Sequence, residues 1–204
     1  MPSNRQHDTE RLVRQARTGD AGAASELMDR HRARLRQMVA IRMDSRLVSR
    51  FDPSDVVQET LIEAMRQLPD YLRDCPMPFY PWLRQIAWNR LVDLHRRHVV
   101  ARHRSVAREV RLEPAPEDHS AYRLANLLLS RDSGPAVRML REEVRSRVHT
   151  AIANLPPEFR EVLILRQLEQ LSIGEIAAVL GIAEGTVKSR HFRALAQLRV
   201  LLEE

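Results

Sequence analysis

The sequence predicts an all-α protein, two small helical domains joined by a flexible linker, with a helix-turn-helix in the C-terminal one. Three observations carry this. Eleven prolines against six glycines, 4% aromatics and abundant Leu, Ala, Arg and Glu describe helices joined by short breaks. Apolar residues recur at helical spacing, and nothing alternates strand with helix. Between residues 112 and 140 the periodicity lapses into prolines, acids and a Ser-Gly-Pro turn, which reads as a linker. The 204 residues have room for one large or two small cores.

Residues 1–8 read as a disordered N-terminus and 9–111 as the first domain. Thr9–Ala16 and Asp20 to about Met43 read as helices broken at Gly19-Asp20, with Leu12, Val13, Ala16, Leu27, Met28, Leu35, Met38 and Val39 inward. Phe51-Asp52-Pro53-Ser54-Asp55 is a helix start: Asp52 can cap, Pro53 fits the first position, and Asp55 puts negative charge in the first turn. The helix is expected to reach about Leu68, burying Val57, Leu61, Ala64, Met65 and Leu68. Its opposite face carries Asp55, Gln58, Glu59, Ile62 and Glu63, either a solvated face or a protein-docking surface.

Leu72–Tyr80 is expected to be a loop, and Pro81 to open a helix from Trp82 to about Val99. Leu83, Ile86, Ala87, Leu91 and Leu94 form its inward stripe, leaving Gln85, Trp88, Asn89, Val92 and Arg96 outside with Trp82, Arg84 and Arg97 on the flanks. Residues 84–111 hold eight arginines against Asp93 and Glu109, so the formal excess of +6 sits there. A local basic block is a contact surface for polyanions, and aromatics beside it suit single-strand capture, with bases on rings and arginines on the backbone. Trp82 or Trp88 can equally pack on the earlier helices.

After the linker at 112–140, in which Leu124–Leu129 can form one short helical turn, the second domain spans 141–204. Val144, Val148, Ala151, Ile152 and Leu155 form its first stripe, and Pro156-Pro157-Glu158 separates that helix from the next. The helix-turn-helix follows. Ser172 can cap its first helix while Glu175 reaches back, with Leu171 stapled against Ile176. Gly181 supplies the left-handed position at the turn. The second helix turns Val187, Ala194, Leu195, Leu198 and Leu202 inward, and between Glu184 and Glu203 it carries Lys188, Arg190, Arg193 and Arg199 with no acid. Such a helix suits a DNA major groove. The plainer alternative is a helical hairpin with a solvated basic face.

His95, His98 and His103 lack a Cys or placed carboxylate to complete a metal site, nothing places a base beside Cys75, and there is no phosphate-binding glycine loop or catalytic carboxylate pair. No metal or other cofactor is expected. One cysteine allows no intrachain disulfide, and neither a signal peptide nor a stretch of ~20 apolar residues is present, so no membrane association and a cytoplasmic location are expected.

Asp55-Val56-Val57-Gln58-Glu59-Thr60, Trp82-Leu83-Arg84-Gln85-Ile86-Ala87-Trp88-Asn89-Arg90 and Leu155-Pro156-Pro157-Glu158 through Gly185-Thr186-Val187-Lys188-Ser189-Arg190 closely resemble bacterial RNA polymerase sigma factors. Within them the small extracytoplasmic-function (ECF) group is most similar. The third block also resembles LuxR-type regulators, but those require an α/β domain in front. The resemblance implies a non-enzymatic factor that binds core RNA polymerase and directs initiation at promoter DNA. It implies docking of Asp55, Gln58, Glu59 and Ile62 on the clamp helices of the largest subunit. Minus-10 capture and melting would fall to Tyr80, Trp82, Arg84, Trp88, Asn89, Arg96 and Arg97. Minus-35 contact would fall to Glu184, Thr186, Lys188, Ser189, Arg190, Phe192 and Arg193, within a helix-turn-helix at 172–192. An anti-sigma partner is also implied. Ala183 departs from the Ser or Thr common at its position, and Cys75-Pro76-Met77-Pro78 departs from the polar loop of the group. The rival function is a stand-alone helix-turn-helix regulator acting without polymerase.

Overall fold

The computed structural model describes residues 2–48, 50–100, 124 and 138–203, and every regular element among them is helical. The chain divides into two compact units, Met1–Glu117 and Asp118–Glu204. His103, the basic-block arginines Arg102, Arg104, Arg108 and Arg111, and the expected linker, apart from Leu124 and residues 138–140, lie outside the described residues.

In the first unit α1 spans Pro2–Arg17, α2 Ala21–Arg42, α3 Ser45–Val48, α4 Pro53–Asp74 and α5 Phe79–His95, which continues as a π-helical turn over Arg96–Val100. Where residues 1–8 were expected to be disordered, α1 already begins at Pro2, a residue suited to a first helical turn. Asp8 then pairs with Arg30 of α2 at 2.7 Å and fastens this end of the helix. Gly19 (φ +91°) breaks the chain, and Asp20 caps α2 by accepting from Ala23 N–H at 3.1 Å. Leu12, Leu27, Leu35, Met38, Val39, Val57, Leu61, Ala64, Leu83 and Ala87 are buried in one core among α1, α2, α4 and α5. Truncating any of its fully buried leucines would cost about 2–5 kcal/mol, so this core holds α4 and α5 in register.

The Asp52 carboxylate accepts from Ser54 N–H at 2.6 Å and Pro53 takes the first helical position, as the local sequence requires. That amide bond and the Ser54 hydroxyl, with the Arg36 cation beside them, hold Asp52 below the usual carboxylate range. The far end differs from expectation: α4 continues through Pro69 to Asp74. Pro69 is exposed, so the Met65 carbonyl that it cannot serve can be hydrogen-bonded by water, and the helix survives the missing donor. It stops at Cys75, which takes the left-handed conformation (φ 40°, ψ 55°) with its N–H on the Tyr71 carbonyl at 2.7 Å. The expected loop over 72–80 is thereby reduced to Cys75–Pro78, and α5 starts at Phe79.

In the second unit α6 spans Arg138–Ala153, beginning inside the expected linker, and α7 spans Pro157–Leu163, extended by a π-helical turn over Ile164–Leu168. Pro157 occupies the first turn of α7, where its missing N–H costs nothing. The helices α8, Ile173–Leu180, and α9, Glu184–Glu203, complete the unit. Its core holds Val148, Ala151, Ile152, Leu155, Val162, Leu163, Ile164, Leu165, Leu171, Ile176, Val187, Ala194 and Leu198. Leu195, expected inward, is largely exposed. It flanks the buried i, i+7, i+11 stripe of Val187, Ala194 and Leu198, and α6 to α8 cover less of α9 than its apolar residues occupy.

Candidate docking and nucleic-acid surfaces

The outer face of α4 presents Asp55, Gln58, Glu59 and Ile62 together, all exposed, with Ile62 58% accessible. Met65, expected in the core, is exposed three residues on from Ile62, so the apolar part of this face is wider than the sequence indicates. In its place Val56 and Thr60 turn inward, the Thr60 hydroxyl donating to the Val56 carbonyl at 2.7 Å. An α-helix seats i, i+3, i+4 and i+7 on one side, which unites Asp55, Gln58, Glu59, Ile62 and Met65. Glu59 also takes two bonds from the Arg90 guanidinium, the Nε one at 2.7 Å. That ion pair joins the acidic face to α5.

The basic helix sorts its aromatics clearly. Trp88 is 40% exposed, whereas Trp82 is 9%, Arg84 6% and Tyr80 3% exposed. Tyr80, Trp82 and Arg84 are therefore corrected from a surface to a supporting position. Trp82 stacks on Tyr71 of α4 with centroids 4.5 Å apart and meets Phe79 at 5.4 Å. Tyr80 lies under the Arg34 guanidinium at 3.7 Å, its hydroxyl directed to the Arg34 carbonyl at 3.4 Å. Such packing uses ring area that a base would otherwise need. Trp88, Asn89, Arg96 and Arg97 remain at the surface, with Val92 exposed one turn from Trp88 and Arg96 bonded to Asp93 at 3.3 Å. Arg42 of α2, which periodicity did not single out, approaches the Trp88 ring to 5.7 Å, and Arg84 approaches it to 6.0 Å. Only the fold brings α2 there.

The loop Cys75–Pro78 is tied down by the Tyr71 hydroxyl, which donates to the Met77 carbonyl at 3.0 Å. Burial, with the Cys75 thiol beside it, pushes the Tyr71 phenol well above its ordinary range, so it stays a donor. His95 stands 3.5 Å from buried Asp44, and His98 meets the Phe51 ring at 4.8 Å. Among the described residues no three His, Cys, Asp or Glu side chains converge as metal ligands.

The helix-turn-helix has the local chemistry its sequence requires. Glu175 N–H donates to the Ser172 hydroxyl at 3.2 Å, and Ser172 N–H donates to the Glu175 carboxylate at 2.8 Å. Leu171 and Ile176 are both fully buried, and Gly181 sits at φ 64°, ψ 33°. The Ala183 carbonyl accepts from Thr186 and Val187 N–H at 2.9 and 3.1 Å, which makes Ala183 the cap of α9 without a side-chain acceptor. Glu184, Thr186, Lys188, Ser189, Phe192 and Arg193 are exposed and Arg190 is half-buried. Phe192, at 73% accessibility, projects from this basic face, an arrangement suited to methyl groups and base edges in a groove. Behind it His191 packs near Arg166, and burial together with that cation holds its imidazole below the ordinary range.

Residues 27–99 match the Sigma-70 region 2 family and residues 145–198 match Sigma-70, region 4. The ECF RNA polymerase sigma-E factor of Escherichia coli (strain K12) is 35% identical over 187 residues, covering 90% of this chain and 88% of its own. The chain belongs to the ECF sigma factors. The sigma-E factor of Salmonella typhimurium (strain LT2) matches at the same identity and coverage. The ECF sigma factor SigE of Mycolicibacterium smegmatis is 32% identical over 185 residues, 89% of this chain and 63% of that one. A chain of the solved complex of CnrH with the cytosolic domain of CnrY is similar with a TM-score of 0.52 and 27% identity, covering 96% and 97% of the two chains. In this sigma factor the region 2 match carries the α4 face and the Trp88 surface, and the region 4 match carries the helix-turn-helix. A stand-alone regulator is not favoured, because it leaves the region 2 match without a role. No helix among the described residues is long and apolar enough to cross a membrane.

Proposed function

We propose that this ECF sigma factor performs no chemistry itself and acts in the cytoplasm as a dissociable specificity subunit of RNA polymerase. Residues 9–111 form the docking and minus-10 part, 112–140 the tether and 141–204 the minus-35 part. Asp55, Gln58, Glu59 and Ile62, with Met65 beside them, meet the clamp helices of the largest subunit. Trp88, Asn89, Arg96 and Arg97 take the minus-10 strand, supported from within by Tyr80, Trp82 and Arg84. Glu184, Thr186, Lys188, Ser189, Arg190, Phe192 and Arg193 enter the minus-35 major groove. The division follows from the two targets, since melted DNA needs stacking and backbone capture whereas duplex DNA needs a helix in a groove. An anti-sigma protein, implied by the family, is a further partner; CnrH, to which this chain is similar, is likewise solved in complex with the cytosolic domain of a second protein, CnrY.

The observation that carries this reading is the coexistence, in one chain, of an exposed acidic, amide and apolar face in the region 2 match and an exposed basic recognition helix in the region 4 match. Gel filtration with bacterial core enzyme tests it. The wild-type protein should co-elute with core, and Asp55→Arg with Gln58→Ala should not, while circular dichroism of the variant stays that of the folded protein. No association of the wild-type protein, together with tight binding to promoter duplex in its absence, would overturn the reading.

A further inference from the structure

Trp88 is the one aromatic side chain of the first unit, among the described residues, that is left largely at the surface. Tyr71, Phe79 and Trp82 are buried in mutual contact, and Tyr80 is buried against His31 and Arg34. Two guanidiniums approach its ring, from different helices and with different access to solvent. Arg84 belongs to the same helix one turn earlier and is buried, so it can support the indole but not reach a ligand beyond it. Arg42 is in the last turn of α2, half-buried, 5.7 Å from the ring centroid. A cation held against an indole face is attracted by its quadrupole and restricts the ring's rotation. Asn89 and Val92 border the same exposed strip, and Arg96 and Arg97 stand further along it.

We propose that Arg42 is a positioning residue for an unpaired nucleotide of the minus-10 strand: it fixes the Trp88 indole as a stacking platform and places a cation for the phosphate of the stacked base. The inference rests on the sigma-factor reading and adds to it a residue from outside the basic helix. A platform held in one orientation loses less freedom when a base stacks, and the phosphate of that base is brought to Arg42 only by the stacking, so both parts of its role run through Trp88. Its effect on DNA binding should therefore depend on the indole being present.

The test uses holoenzyme reconstituted with bacterial core and the strongest run-off template obtained with the wild-type protein. That template is remade as a fork, with the minus-10 non-template strand unpaired and 2-aminopurine replacing each of its bases in turn. Wild-type holoenzyme should bind the fork more tightly than the duplex and quench 2-aminopurine at one position. Arg42→Ala should weaken fork binding about five- to tenfold and relieve the quenching, whereas Arg42→Lys should recover part of the affinity. In a Trp88→Ala background the same Arg42→Ala change should cost less than about twofold, the mark of coupled residues. Melting curves and core co-elution of the variants confirm that fold and docking persist. Undiminished fork binding and quenching in Arg42→Ala, or an equal loss with and without the indole, would overturn the role of Arg42 and leave the sigma-factor reading standing. A wild-type protein that yields no run-off template, or a holoenzyme with no preference for the fork, would overturn both.

Discussion

Ala183→Ser places an acceptor at the entrance of α9, the second helix of the helix-turn-helix, where the wild-type chain has a methyl group. The Ala183 carbonyl already receives Thr186 and Val187 N–H, so Ala183 stands at the cap position, from which a Ser hydroxyl can accept a first-turn amide. A Ser cap in place of Ala is worth about 1 kcal/mol, which in a domain of this size raises the midpoint by about 4–8 °C. Spectroscopy can separate the two units. Both tryptophans, Trp82 and Trp88, belong to the first unit, so fluorescence follows it alone and far-ultraviolet circular dichroism follows both. The dichroism component of the second unit should move up while the fluorescence midpoint stays in place. Ser172→Ala should move that component down by a similar amount, because the hydroxyl that accepts Glu175 N–H is lost. An unmoved dichroism curve in Ala183→Ser would refute the assignment of Ala183 as the cap. Equal movement of both signals would refute the treatment of the units as separately stable.

The two tryptophans should respond oppositely: Trp82→Ala loses about 3–5 kcal/mol of stability in a fluorescence-monitored urea titration, whereas Trp88→Ala changes it by under about 1 kcal/mol and instead weakens fork binding. His191 makes the second unit acid-sensitive. Its folded pKa lies below the ordinary 6.5, so the unfolded chain binds more protons; stability is complete above that value and falls as pH drops through the window beneath it. Urea titrations by dichroism at pH 7.5 and 5.5 should show this fall, and His191→Leu should flatten it. Phe192→Ala and Arg193→Ala, both at exposed positions, should each melt like the wild type yet weaken holoenzyme binding to a minus-35 duplex about tenfold.

What could be read from the sequence was what is locally determined. The Ser172–Glu175 box, Gly181, the Asp52–Pro53 start and the outward set Asp55, Gln58, Glu59 and Ile62 each depend on residues within two turns, and the structure places them as expected. The misplacements are tertiary. Helical period put Trp82 at a flank, and Tyr80 fell at the end of the expected loop; neither reading could register that Tyr71 and Arg34, on other helices, would meet them. Likewise Met65 and Leu195 continue apolar stripes that the neighbouring helices do not cover. Pro69 carried a genuine stop signal, overridden because its unmatched carbonyl partner is on the wet side of α4. Arg42 and the Glu59–Arg90 pair had no sequence signal, since each joins residues that only the packing of two helices brings together.

Run-off transcription tests the central claim most directly. Bacterial core polymerase would be supplied with genomic fragments of the source organism, with and without the purified protein. Discrete transcripts should form only when the protein is present, and should be lost with Asp55→Arg plus Gln58→Ala. Transcripts that are the same with and without the protein, from a core preparation shown to be active with another sigma factor, would contradict it.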